Sequence, residues 1–274
     1  MRYDAAAIAR VELRFREGIW STAPEDAVEE EQIRKQWFGP ILATVFAGLP
    51  DAHLLNMAQG AAEPGAVADG HLAAAVEWLR FWEVDYLVTV ASDRPESEQA
   101  ETRLAGRGYE QGTTIRRYLR AAGDPGGVDP RSVEVRELTA LQTEGMSMIF
   151  AEALELSDLA TVPLLDLPKL TGWRCYAAYL DGYEVACGAM LIDGGIAMLG
   201  LDATSSDARH RGCQSALIRR RLIDAERAGC HTVVAEACDA ADNGAGAARN
   251  LVRAGFVEAG RSVAWRRPVM AALN

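Results

Sequence analysis

The chain has 274 residues, 49% of them hydrophobic and 24% charged, with 28 lysines and arginines against 39 acids and a formal net charge of −11. That is ample apolar material for one large core or two small ones. The acidic balance argues against a general nucleic-acid binder, and no stretch approaches the roughly 18 consecutive apolar residues of a membrane helix.

From the N-terminus, "MRYDAAAIARVELRFREG" carries charges every few residues and lacks the apolar core of a signal peptide, so a surface helix or strand is expected there. "PEDAVEEEQ" reads as a solvated helix face, or as an attraction for a cationic acceptor. The first half continues with a helical run, "GHLAAAVEWLRFW", a strand, "DYLVTVA", and a closing helix, turn and alternating strand, "AETRLAGRGYEQGTTIRRYLR". Trp20, Trp37, Trp78 and Trp82 are expected as core or domain contacts, and His53 and His71 as structural histidines. The stretch "AAGDPGGVDP", residues 121–130, is punctuated by two prolines and three glycines and reads as a linker between domains at 1–120 and 131–274.

In the second half, "VEVREL" predicts a strand and "LTALQTEGMSMIFAEAL" a helix. "WRCYAAYLDG" and "EVACGAMLIDGG" predict a hairpin turning at Asp181-Gly182. "IAMLGLDAT" is a third strand, followed by a helix in which Ile218, Leu222 and Ala225 form a buried stripe ended by Gly229. "HTVVAEAC", "AARNLVRAG" and "RSVAWRRPV" complete the order β-α-β-β-β-α-β-α-β, a mixed sheet covered on both faces. The halves resemble each other. Leu104, Gly108 and Tyr109 are spaced as Leu251, Gly255 and Phe256 are, and the strand and helix upstream recur in the same order, as two copies of one α/β unit would give.

The five cysteines, Cys175, Cys187, Cys213, Cys230 and Cys238, are odd in number and form no CxxC pair. Neither a disulfide framework nor a metal site is indicated, and reduced thiols fit a cytoplasmic protein.

Chemistry concentrates at "ARHRGCQSALIRRRL". The first amides of a helix have no backbone partner and carry partial positive charge, so an anionic phosphate satisfies them directly. Gly212 lets a ligand approach the backbone, and six arginines between Arg209 and Arg227 face only Asp224 and Glu226. Consecutive Arg219, Arg220 and Arg221 fan around the helix, about 100° apart, and are equally well read as solvated surface. Neither GxxxxGK[ST] nor GxGxxG is present, which excludes a Walker-A loop and a standard dinucleotide fold.

These residues resemble the GNAT N-acetyltransferase superfamily, whose signature, Arg/Gln-x-x-Gly-x-Gly/Ala, follows the fourth strand. "RHRGCQ" fits at Arg209 and Gly212 and departs at Gln214, a form similar to that of a tandem-domain branch. The element order and "RNLVRAGF" fit as well. The resemblance covers residues 131–268 well and 1–120 weakly. It implies two tandem GNAT-like domains, each a mixed sheet flanked by helices, and acetyl-CoA or another acyl-CoA as co-substrate with no metal.

On that resemblance, Arg209, His210, Arg211, Gly212, Cys213, Gln214 and Ser215 would hold the pyrophosphate. The backbone of Asp202, Ala203 and Thr204 would bind the pantetheine and polarise the thioester, with Asn250 near the cofactor. An amine would attack directly, so a base must take its proton. Glu236 and Asp202, which interrupt apolar strands, are the candidates.

The tyrosine that the family often uses to protonate the leaving thiolate is replaced by Leu251. The first half has no arginine where its loop should lie, in "AAEPGAVAD", so it is expected as a degenerate copy that helps to wall the acceptor site. The acceptor is a small-molecule or peptide amine, with no membrane involved, and the protein a monomer or homodimer. Two alternatives remain open. One is aminoacyl transfer from a charged tRNA along Arg116, Arg117, Arg120, Arg266 and Arg267, and the other is a coenzyme A-binding relative without turnover.

Overall fold

A computed structural model describes residues 4–52, 55–126, 133–239 and 244–267. In chain order the first half forms α1 (Ala5–Ile19), α2 (Glu25–Glu30), β1 (Ile33–Phe38), β2 (Ile41–Phe46), β3 (Met57–Gln59), α3 (His71–Phe81), β4 (Leu87–Ala91), α4 (Ser97–Ala105) and β5 (Glu110–Ala121). The second half forms β6 (Glu134–Leu138), α5 (Glu144–Leu154), α6 (Asp158–Thr161), β7 (Trp173–Leu180), β8 (Tyr183–Asp193), β9 (Ile196–Thr204), α7 (Cys213–Arg227), β10 (Thr232–Cys238), α8 (Gly244–Arg253) and β11 (Val257–Arg266). The hairpin β1–β2 was not among the elements expected from the sequence.

The chain divides into two compact units. One comprises Glu25–Arg117, Cys238–Asp242 and Ala259–Asn274; the other comprises Met1–Pro24, Tyr118–Ala237 and Asn243–Glu258. This differs from a division at 121–130. Helix α1 belongs with the second half, and β5 and β11 each change unit along their length. Residues 127–130 of the expected linker lie outside the described residues.

In the first-half unit the sheet order is β1-β2-β3-β4-β11, followed by the first part of β5. The β11 segment is antiparallel to β4, with Ser262 opposite Ala91 and Trp265 opposite Val88. Its core gathers Ile41, Val45, Leu72, Val76, Leu79, Val88, Val90, Leu104, Tyr109 and Trp265.

In the second-half unit the order is β10-β9-β8-β7-β6, with the end of β5 on the β10 side. Asp181 and Gly182 both have positive φ, 53° and 85°, as the two central positions of a type I′ hairpin turn require. Strands β7 and β8 are buried through Cys175–Ala178 and Ala186–Leu191, as strands covered on both faces are. Helix α7 buries Ala216, Leu217, Ile218, Leu222 and Ala225.

The repeated Leu…Gly-aromatic pattern has one physical form in both halves. Tyr109 N–H donates to Leu104 O at 3.1 Å, and Phe256 N–H to Leu251 O at 3.1 Å. Gly108 and Gly255 have φ of 80° and 85°. This is a Schellman ending, in which the left-handed glycine turns the aromatic back onto the helix it terminates.

Helix α1 starts at Asp4, whose carboxylate accepts from the amides of Ala6 and Ala7 at 3.0 and 3.1 Å. Its buried face includes Ile8, Val11, Phe15 and Ile19, a helical period. Phe15 packs on Trp173 with ring centroids 4.7 Å apart. It also lies against Gly200, where an added Cβ would come within 2.6 Å of its ring. Arg14 pairs with Asp193 at 2.6 Å. Truncating Phe15 removes a buried aromatic that no neighbour replaces, so Phe15→Ala is expected to cost about 3 kcal/mol of stability, as measured by urea denaturation of the full chain.

Candidate functional site

The site is built around an irregularity in β9. Along the β8–β9 ladder, Cys187 faces Ala203 while Ala189 faces Gly200, so Leu201 and Asp202 together oppose the single residue Gly188. This two-against-one arrangement is a β-bulge, which bends the strand that carries it. Leu201 sits at φ 53°, a left-handed conformation seldom adopted by a branched side chain. On its other edge, β9 pairs in parallel with β10 from Ile196↔Thr232 to Leu199↔Ala235, and the ladder stops there. From Gly200 to Thr204 the strand therefore keeps β8 as a neighbour and has no β10 partner.

Beyond Thr204 a short 3-10 turn, Ser206–Ala208, leads into the loop before α7. His210 and Gly212 have φ of 65° and 87°. Gly212 is the N-cap of α7 and supplies no side-chain cap, and the first intrahelical bond runs from Ala216 N–H to Gly212 O. The amides of Cys213, Gln214 and Ser215 precede that bond and project from the helix start. Gln214 folds its own side chain back: its Nε2 donates to Ala203 O at 3.3 Å and to Thr204 Oγ1 at 3.0 Å. It thereby ties the loose end of β9 to the first turn of α7.

The arginines around this loop do not form one cationic patch. Arg209 and Arg211 are exposed at the loop, with Arg211 3.5 Å from Asp181. Arg219 pairs with Asp124 at 3.1 Å. Arg220 pairs with the buried Asp224 at 2.7 Å and donates to Val135 O at 2.9 Å; Arg227 reaches Asp224 at 3.3 Å. Arg221 has 0% exposure and is bonded to Asp202, which corrects its reading as solvated surface. Helix phase explains this, because residue 221 stacks one turn after Leu217 on the buried face.

The two candidate carboxylates differ. Asp202 projects from the bulge and is engaged by Arg221 through both oxygens. Asp202 is solvent-exposed on one side; partial desolvation of its carboxylate raises its pKa and the guanidinium opposes that rise. Glu236 is half-buried on β10, one residue past the end of the β9 ladder. It acts electrostatically on Arg16 of α1, whose pKa is lowered by burial and supported by the Glu236 charge. No sequence signal linked α1 to this site, because periodicity reports an apolar face but not the surface that covers it. Asn250 is half-buried on α8, and Leu251 beside it, 5% exposed, belongs to the core.

The first half presents the same local geometry filled differently. Gly70, the N-cap of α3, has φ 80° and no side-chain cap, as Gly212 does in α7. The preceding loop, however, turns its amides onto an internal carboxylate. Glu96 accepts from Gly65 at 2.7 Å, from Val67 at 2.6 Å and from Ala68 at 3.4 Å. These backbone donors hold the Glu96 pKa below the usual glutamate value.

Of the five arginines considered for a nucleic-acid track, Arg116 pairs with Asp239 at 2.9 Å and Arg117 with Asp93 at 2.7 Å. Arg120 donates to Ala254 O and to Asp124 O. Four cysteines are buried and Cys238 is half-buried, all as free thiols. Among the described residues no three His, Cys, Asp or Glu side chains converge as a metal site would need, and no helix is long and apolar enough to cross a membrane. His53 lies outside the described residues, and the His71 ring packs under Gly39.

No family model and no curated protein matches the chain. Solved structures do. A GCN5-related N-acetyltransferase from Kribbella flavida superposes with a TM-score of 0.68 at 18% identity, over 99% of this chain and 98% of its own. One from Sphaerobacter thermophilus gives 0.57 at 17% identity, over 87% and 76%. A tandem GNAT protein from the clavulanic acid biosynthesis pathway gives 0.57 at 16% identity, over 82% and 77%. The chain has the tandem GCN5-related N-acetyltransferase fold.

The Glu96 contacts have a pH signature. A depressed carboxylate pKa stabilises the fold above the unfolded value of about 4.3 and loses that contribution as pH falls through the folded value. Glu96→Gln is therefore expected to lower the melting temperature at pH 7, with the gap to wild type closing below about pH 4 in thermal melts across pH.

Proposed function

We propose that the protein is an acyl-CoA-dependent N-acyltransferase, with acetyl the simplest acyl group, in which an amine attacks the thioester directly within a ternary complex. The observation that carries this reading is the continuity of two sets of backbone donors. The edge of β9 that lacks a β10 partner leads within a few residues to the uncapped start of α7. A ligand with a diphosphate at one end and an amide-bearing arm at the other matches that arrangement.

In this reading the amides from His210 to Ser215, with Arg209 and Arg211, hold the pyrophosphate. The backbone of Asp202, Ala203 and Thr204 binds the arm and polarises the thioester carbonyl, a contact that strengthens as charge develops on oxygen. Glu236 takes the proton from the attacking ammonium. Asp202, bonded to Arg221, is the second candidate. Asn250 borders the cofactor from α8. With Leu251 buried in the core, water or another group protonates the departing thiolate. The first half, whose loop amides are bonded to Glu96, binds no coenzyme A. The acceptor is a small-molecule or peptide amine, and the protein is cytoplasmic.

A second reading, binding without turnover, is favoured by the leucine at the position of the expected acid. Transfer from aminoacyl-tRNA is disfavoured by the internal partners of Arg116, Arg117 and Arg120.

Calorimetric titration with acetyl-CoA tests the proposal. Wild type is expected to bind, and Gly212→Asp, which places a carboxylate at the helix start, is expected to lose binding. Thiol release with a panel of amines then separates the two readings, and Glu236→Gln should lower turnover by about 100-fold or more if Glu236 is the base. Absence of acetyl-CoA binding by wild type overturns the proposal.

A further inference from the structure

We infer that Arg221 is a positioning residue for the acyl-transfer site: from inside the protein it holds the β9 bulge in the shape that presents the strand's backbone to the thioester arm. This rests on the acyl-CoA reading above and adds to it a residue that never touches substrate.

The geometry is specific. Arg221 lies on α7 two turns beyond the loop residues and is fully buried. Its Nε donates to Leu217 O at 3.1 Å, which fixes the guanidinium against its own helix. Nη1 donates to Ala189 O at 2.9 Å and to Gly200 O at 3.4 Å, one carbonyl on each side of the β8–β9 ladder where the register slips. Both terminal nitrogens reach the carboxylate of Asp202, the second residue of the bulge. One planar fork thus contacts the strand before the bulge, the strand opposite and the bulged residue itself, which a point-charged lysine does not reproduce.

Gly188 is the matching half of the device. A Cβ on it would lie 2.8 Å from Arg221 Nη1 and 2.8 Å from Asp202 Oδ1, so the glycine leaves the space in which the ion pair sits. Leu201, between Gly200 and Asp202, has the positive φ that the bulge imposes. A conformation of that kind persists only where its surroundings over-determine it. Arg221 supplies that surrounding, and the same bulge turns β9 away from a continued ladder with β10.

The consequence is a division of labour along α7. Its N-terminus meets the phosphates, and Arg221 sets the strand that meets the thioester. Loss of Arg221 should then leave the phosphate half of recognition intact and damage the other half. The test compares acetyl-CoA with 3′-phospho-ADP, which carries the phosphates without the arm, on wild type, Arg221→Met and Gly188→Ala. Met fills the volume without the fork, and Ala displaces the fork without deleting it.

The expected result is unchanged affinity for 3′-phospho-ADP and acetyl-CoA binding weakened about tenfold in both variants, the scale of one or two lost backbone hydrogen bonds. The carbonyl stretch of bound acetyl-CoA should also move back toward its value in water. If Arg221→Met does not fold, Gly188→Ala gives the same comparison. Wild-type affinity and carbonyl frequency retained in a folded variant overturn the inference while leaving the acyl-CoA reading in place. Parallel loss of both ligands also overturns it, because Arg221 would then support only the fold. If wild type binds neither ligand, the acyl-CoA reading fails and this inference fails with it.

Discussion

A strand that keeps one neighbour and gives up the other leaves a row of backbone donors and acceptors to be satisfied from outside, and much of the second-half unit is arranged around that constraint. Strand β9 is fully paired to β10 only through Leu199. The bulge at Leu201 and Asp202 ends the pairing on one edge while the ladder to β8 resumes on the other. Each surrounding feature follows from keeping the resulting edge ordered. Arg221 holds the bulge from one side, Phe15 packs on Gly200, and Gln214 secures the far end at Ala203 and Thr204. An unpaired edge costs free energy unless water or a ligand pairs with it.

The elements were largely legible in the sequence, because their signals are local. The Asp181-Gly182 hairpin, the glycine endings of α4, α7 and α8, and the stripe of α7 each depend on residues within one or two turns of each other. What the sequence did not show is which surfaces meet. An apolar stripe in "AAAIARVELRFREG" says that α1 is covered, and nothing in it names Trp173 and Gly200 as the cover. An alternating strand ending in arginine reads the same whether it closes its own half or pairs with β4, as β11 does. Three consecutive arginines look like surface. The available signal was that Arg221 shares a helical line with Leu217 and Asp224, all of them buried, and a charge in such a line asks for a partner across the sheet.

Within the candidate site, the loop from Arg209 to Ser215 was legible because helix-start amides are a property of the backbone and need only a glycine to expose them. The carboxylates were not separable. Asp202 and Glu236 both interrupt apolar strands, and only the fold shows their surroundings: Asp202 is bonded to the fully buried Arg221, and Glu236 is half-buried past the end of the ladder, with its charge acting on Arg16. The loop before α7 and its counterpart in the first half show the same limit. Gly70 and Gly212 have nearly the same conformation, and the difference lies in Glu96, which comes from a helix-entry residue about thirty positions away.

In the proposed reading, that difference bears on how one of two similar halves can do without a ligand and keep its structure. A loop shaped to surround an anion with amides is poorly satisfied when the anion is absent, since several N–H groups point at one place. A carboxylate supplied by the chain itself removes the problem: Glu96 accepts from three of these amides, and the loop no longer depends on an external partner. In the second half the acids near α7 pair with arginines, and no side chain caps the helix start. In the proposed reading, the placement of internal carboxylates, more than the number of arginines, distinguishes the half that receives a phosphate.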